Sequence, residues 1–158
     1  MAGFQSLPKP ILRLIKLPPQ IVYALGLGPL MGRLVLLLTT IGRKTGKPRI
    51  TPLQYEEVGD VIYLGASRGL QSDWVRNILA NPRVEVRVKS RRFKGRAEVT
   101  TDPVQIADFL ELRLQRHPKM IAAMLRAEDL PNPPERAHLE TYARNIVLVT
   151  IHPQDGQA

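Results

Sequence analysis

The stretch that decides the fold is Leu34–Pro52, which reads LVLLLTTIGRKTGKPRITP. A near-continuous apolar run stops at Gly42, and a second extended run resumes at Pro48. Short apolar runs bounded by glycine indicate buried strands. Four basic residues and no acidic residue lie in the seven positions 43–49. The sequence therefore predicts two strands joined by a strongly basic loop, where an anionic ligand would bind.

The basic loop, residues 42–49, differs from a nucleotide-binding P-loop. Three residues lie between its two glycines, whereas four lie between those of the P-loop, and Pro48 replaces the P-loop Ser or Thr. Two glycines still permit a turn whose amide groups converge on an anion. Arg43 and Arg49 can each hold a phosphate or carboxylate through two parallel hydrogen bonds. The loop therefore predicts an anion site, with a solvated hairpin tip as the alternative.

Positive charge is concentrated in the first third of the chain. The protein has 158 residues and a formal net charge of +9, and its first acidic residue is Glu56. Eight of the 23 basic residues precede Glu56, whereas the rest of the chain has 15 basic and 14 acidic residues. This distribution indicates a polyanionic partner or a membrane surface. Residues 1–33 are predicted to be a helical, amphipathic segment that packs on the domain or lies at a membrane surface, because prolines interrupt their apolar stretch.

The remaining chain predicts an α+β, mainly β, domain over residues 34–153, followed by a tail at 154–158. The pattern favours a small β-barrel of about six mostly antiparallel strands with flanking helices. Asp102, followed by Pro103, is predicted to cap a helix. The predicted strands are 34–40, 48–57, 61–66, 84–88, 93–99 and 145–151, and further helices are predicted at 74–80, 122–125 and 135–144.

Other motifs exclude several classes of function. Residues 65–69 match the G-x-S-x-G pattern of a serine hydrolase, but a loop follows where that pattern needs a helix. The three histidines have no metal-ligand spacing, so no metal is expected. The chain has no cysteine, which fits a cytoplasmic location. The hairpin 83–96 is basic, but it offers only Phe93 for stacking, so nucleic-acid binding is not expected.

Together these motifs resemble the deazaflavin-dependent nitroreductase family. This resemblance implies a split β-barrel, like that of FMN-binding proteins, which binds reduced coenzyme F-420 (8-hydroxy-5-deazaflavin) in preference to FMN. The implied activity is transfer of a hydride to a flat electron acceptor such as a quinone or nitroaromatic. The hydride chemistry belongs to the cofactor, and the protein orients the reactants and excludes water. The residues that carry the resemblance are Leu36–Leu53, Gly59-Asp60, Ala66–Gly69, Trp74, Asn77, Ala80–Pro82 and Ile146–Pro153.

The resemblance also implies which residues bind the cofactor. Arg43, Lys44 and Arg49 would hold its acidic tail of phosphate and glutamates, with Thr45 and Gly46 donating hydrogen bonds. No catalytic residue is assigned, and Tyr142 and Ser67 are candidates for contact with the substrate. The ring would lie among Pro52, Leu53, Gln54, Ala66, Ser67 and Arg68, with Trp74 and Asn77 behind it.

An alternative with a different function comes from the segment Ser72–Asn77. The sequence of this segment resembles that of a sister branch of the family associated with fatty-acid binding. The second hypothesis is therefore a lipid-binding, membrane-peripheral protein with the same fold. Contact of residues 1–33 with the cytoplasmic face of a membrane would suit a lipid-soluble quinone. Barrels of this type often pair, so we also predict a homodimer.

Overall fold

The structure, a computed structural model, describes residues 35–154. Seven antiparallel strands form one sheet in the order β2-β1-β5-β6-β7-β4-β3, which makes a half-barrel flanked by four helices. The predicted α+β, mainly β, split-barrel architecture is thus confirmed. The predicted segment 1–33 lies outside the described residues. The strands are β1 (Leu36–Ile41), β2 (Pro48–Leu53), β3 (Glu56–Val58), β4 (Val61–Ala66), β5 (Arg83–Val88), β6 (Arg91–Thr100) and β7 (Val147–Pro153).

The described sheet has one strand more than the sequence predicts, because the predicted strand 48–57 is divided. β2 pairs with β1 at one edge of the sheet, and β3 pairs with β4 at the other. Gln54 and Tyr55 connect the two edges. Residues 48–58 thus run from one edge of the sheet to the other. The alternation of side chains in this stretch does not show that its two halves pair with different strands.

Among the described residues, four α-helices cover the sheet, namely α1 (Asp73–Ala80), α2 (Pro103–Arg116), α3 (Pro118–Ala127) and α4 (Arg136–Ala143). Pro118 begins α3, as proline can at a first helical position. One apolar core lies between the sheet and α1, and a second lies between α2, α3, α4 and β7. Within residues 35–154, no helix has the length and apolar character needed to cross a membrane.

Asp102 caps α2, as predicted, because its Oδ1 accepts a hydrogen bond from the Val104 amide at 3.0 Å. We expect Asp102→Ala to lower the free energy of unfolding by about 0.5–2 kcal/mol, because the amide loses its acceptor. Urea denaturation measures this change. Asp102→Asn keeps an acceptor oxygen and should lose much less. Equal losses in the two variants would contradict the capping role.

Candidate functional site

A cavity of about 300 Å³ lies where the two apolar cores meet. One wall comes from the ends of β2 and β4 and the start of α1, and the other comes from α2, α3 and α4. This size suits a small-molecule site. The lining residues are Val35, Thr51, Leu53, Gln54, Gly65, Ala66, Ser67, Arg68, Ser72, Asp73, Trp74, Phe109, Leu110, Arg113, Met124, Tyr142 and Ile146.

Most of the residues predicted to contact a flat ring or a substrate lie together in this cavity. Pro52 was predicted to contact the ring but does not line the cavity. Its neighbours Thr51 and Leu53 do, and successive side chains of a strand point to opposite faces. Asn77 also lies outside the lining set and is buried in α1, one turn after Asp73. The predicted residues that line the cavity are Leu53, Gln54, Ala66, Ser67, Arg68, Trp74 and Tyr142.

Asn77 fastens the basic loop to α1. Its side-chain Oδ1 accepts hydrogen bonds from the backbone amide of Arg43 at 3.2 Å and from Nη1 of Arg43 at 2.9 Å. Its Nδ2 donates to Oγ1 of Thr40 at 3.2 Å. Nη2 of Arg43 also donates to Oδ1 of Asp73 at 3.1 Å. Because Asp73 lines the cavity, these bonds hold the loop at the cavity rim.

Most backbone amides of the loop donate hydrogen bonds to acceptors within the protein, whereas the sequence predicted amides that converge on an anion. The Gly42 amide donates to the Lys47 carbonyl and the Gly46 amide donates to the Gly42 carbonyl, both at 2.8 Å. The Lys47 amide donates to Oγ1 of Thr45 at 3.2 Å. Gly46 adopts a φ of 70°, which favours glycine. An anion at this loop would therefore contact chiefly the exposed side chains, namely Lys44, Lys47 and Arg49.

The rim of the cavity carries more positive than negative charge. The pKa of the Asp73 carboxyl is lowered, first by its hydrogen bond from Arg43 and further by the charges of Arg43, Arg76 and Lys44. Three cations thus surround one carboxylate. A surplus of positive charge beside a concave site attracts anionic ligands.

Sequence reasoning missed a buried ionic cluster that reaches the cavity through Arg113. Glu56 is 3% exposed and Arg113 is 7% exposed. Oε1 of Glu56 lies 3.3 Å from Nε of Arg113 and 3.2 Å from Nε2 of His117, and its Oε2 lies 3.1 Å from Nη1 of Arg116. Nη2 of Arg113 donates to Oε1 of Gln54 at 2.9 Å. Burial lowers the pKa of Arg113, while the charge of Glu56 opposes that shift.

A signal for Arg113 exists in the sequence. It lies three residues after Leu110 and seven after Ile106, so it shares the buried face of α2. A basic residue at such a position requires a buried partner or a ligand.

Tyr142 lines the cavity as a neutral phenol. Burial, assisted by the charge of Glu128, raises its pKa to about 12. Because the folded protein keeps this proton after the unfolded chain has lost it, the free energy of unfolding falls as pH rises from the ordinary tyrosine pKa of 10.0 to about 12. We expect the ultraviolet tyrosinate titration of the wild type minus that of Tyr142→Phe to show one step near that pH. A step near the ordinary tyrosine value would contradict this environment.

One protein-family model matches a stretch of the chain that includes most of the residues lining the cavity. The model of F420H(2)-dependent quinone reductases matches residues 24–124, more than half of the chain. The chain belongs to this family. The predicted resemblance to deazaflavin-dependent reductases is therefore confirmed.

Relatives of this family member include an F420H(2)-dependent quinone reductase of Mycobacterium tuberculosis, which is 43% identical over 76 residues. That alignment covers 46% of this chain and 48% of the relative, so the match spans about half the length of the curated relatives.

Two solved structures share the fold of this family member. An F420-H2 dependent reductase has a TM-score of 0.53 at 23% identity, with 76% of this chain and 95% of that chain covered. The heme storage protein HutZ from Vibrio cholerae has a TM-score of 0.52 at 12% identity, with 87% and 91% covered. At these identities, the likeness concerns the fold alone.

Proposed function

We propose that this protein is an oxidoreductase that uses reduced coenzyme F-420 to reduce a quinone. The observation that carries the proposal is the position of the basic loop, which the Arg43–Asp73 pair holds at the rim of an apolar cavity. A cofactor with a flat ring and a polyanionic tail requires such a pair of neighbouring surfaces. Family membership and the name of the M. tuberculosis relative support the same cofactor and acceptor class.

The residues present fit the two parts of this cofactor. Lys44, Lys47 and Arg49 would hold the acidic tail, because their side chains are exposed and carry no opposing acid in the loop. Arg43 would act by positioning the loop, since its guanidinium already binds Asp73 and Asn77. When bound, the cofactor supplies the hydride.

Residues of the cavity would hold the ring and the acceptor. Leu53, Ala66 and Trp74 provide apolar surface that excludes water, and Ser67 and Arg68 supply donors for polar edges. Close approach of α2 to β4 shapes this cavity, because a Cβ at Gly65 would lie 3.1 Å from Cε1 of Phe109. Tyr142, which remains protonated, can donate a hydrogen bond to an acceptor oxygen.

An anaerobic titration of the full chain with reduced coenzyme F-420 tests cofactor binding. Trp74 is the only tryptophan and lines the cavity, so its fluorescence reports occupancy. We expect saturable quenching at micromolar cofactor and weaker binding of FMN, which lacks the glutamate tail. Absence of saturable quenching by reduced coenzyme F-420 would overturn the proposal.

A further inference from the structure

We infer that Arg113 binds the oxygen atom of the electron acceptor on which negative charge develops, and that it thereby selects acceptors with a carbonyl or an ionised hydroxyl group. This inference rests on the proposed function and identifies an acceptor-binding residue in the same cavity.

The first observation is the unused hydrogen-bonding capacity of Arg113. A guanidinium has five N–H donors. Nε donates to Glu56 and Nη2 donates to Gln54, whereas Nη1 has no hydrogen-bond acceptor within residues 35–154. The residue is 7% exposed and lines the cavity. Because a buried donor without an acceptor is costly, a ligand oxygen in the cavity would be a favourable partner.

The second observation is the charge balance around Glu56. Its single carboxylate faces the guanidinium groups of Arg113 and Arg116, together with His117. The neighbouring carboxylate of Glu57 binds Arg91 instead, at 2.7 Å and 2.9 Å. Two permanent positive charges therefore share one negative charge, and Arg113 is the cation of the cluster that lines the cavity.

The other charged groups that line the cavity leave this surplus in place. Asp73 is the one carboxylate among the lining residues, and it binds Arg43 at the rim. Arg68 adds a further positive charge. The described part of the cavity thus presents an environment that favours an oxygen with negative charge.

Hydride transfer creates such an oxygen. A neutral quinone that accepts a hydride, two electrons and one proton, from a reduced deazaflavin becomes a hydroquinone monoanion. When bound, the cofactor would supply the hydride and release one further proton, which balances the proton that the monoanion takes up to become the hydroquinone. A positioned guanidinium next to the developing oxyanion stabilises the transition state more than the ground state.

Binding of two small probes to the cofactor-free full chain tests the inference. The neutral probe is 1,4-naphthoquinone, and the anionic probe is 2-hydroxy-1,4-naphthoquinone, which is ionised at neutral pH and has the same ring. Trp74 fluorescence reports both affinities. The absence of cysteine prevents reaction of the probes with thiols. We expect the wild type to bind the anionic probe about tenfold or more tightly than the neutral one, as a charge-assisted hydrogen bond predicts.

Three variants locate the source of this preference. Arg113→Gln should abolish it by weakening binding of the anionic probe more than binding of the neutral one, whereas Arg113→Lys should retain part of it. The control is Arg126→Gln, an exposed arginine of α3 outside the cavity lining, which should keep the full preference. Thermal melts followed by circular dichroism verify that each variant is folded.

Three results would overturn the inference. They are a wild type without preference, a folded Arg113→Gln variant that keeps the preference, and an Arg116→Gln variant that loses it as completely as Arg113→Gln. The first result does not depend on any variant. The probes contain no deazaflavin, so their binding tests Arg113 alone, whereas failure of reduced coenzyme F-420 to bind counts against the proposed function alone.

Discussion

Replacement of Glu56 by glutamine is expected to lower the free energy of unfolding by about 3–5 kcal/mol, because it leaves a buried guanidinium without its carboxylate. Arg113 is the affected partner, since its side chain is only 8% exposed. Arg116 and His117 have side chains 38% and 39% exposed and can reach water instead. Urea denaturation of the wild type and the variant measures the loss.

Two further variants separate this explanation from a general loss of packing. In Glu56→Gln/Arg113→Met both charges are removed, so most of the lost stability should return. Glu57→Gln is the matched control, because its carboxylate binds Arg91, whose side chain is 48% exposed, and it should lose less than about 1 kcal/mol. If the double variant is less stable than Glu56→Gln, the uncompensated charge is not the cause.

Charge reversal of the basic loop is expected to weaken binding of reduced coenzyme F-420 at least about 100-fold at low salt, if each reversal costs about 1 kcal/mol. The variant combines Lys44→Glu, Lys47→Glu and Arg49→Glu. None of these side chains has a hydrogen-bond or ion-pair partner within residues 35–154, so folding should be preserved. Because salt screens exposed charges, the difference in affinity should shrink as ionic strength rises.

A control variant with the same net charge distinguishes the loop from the protein's overall field. Lys89→Glu, Arg96→Glu and Lys119→Glu reverse three exposed charges elsewhere on the surface. This variant should bind the cofactor with an affinity within a few-fold of the wild type at moderate salt. An equal loss in the two triple variants would assign the attraction to net charge and remove the loop's specific role.

The sequence was sufficient to predict features that depend on neighbouring residues. The basic loop, the cap at Asp102 and the strand Val61–Ala66 follow from local composition and spacing, and the structure confirms the cap and that strand. The contribution of Ala66, Ser67 and Trp74 to one cavity could be anticipated from the family resemblance.

Features that depend on distant residues could not be read in the same way. Glu56 and Arg113 are 57 positions apart, and neither has a local pattern that names the other. Division of the stretch 48–57 depends on pairing with two opposite edges of the sheet. The hydrogen bond from the Gly46 amide to the Gly42 carbonyl depends on the conformation of the turn, which the composition of the loop does not determine.

The central claim is that a quinone oxidises reduced coenzyme F-420 within this cavity. Its most direct test is an anaerobic single-turnover experiment, in which the protein with bound reduced cofactor is mixed with an equal amount of 1,4-naphthoquinone. We expect the visible absorbance of the oxidised cofactor to appear far faster than without protein, with one cofactor oxidised per quinone reduced. A rate equal to that of the protein-free mixture would contradict the account.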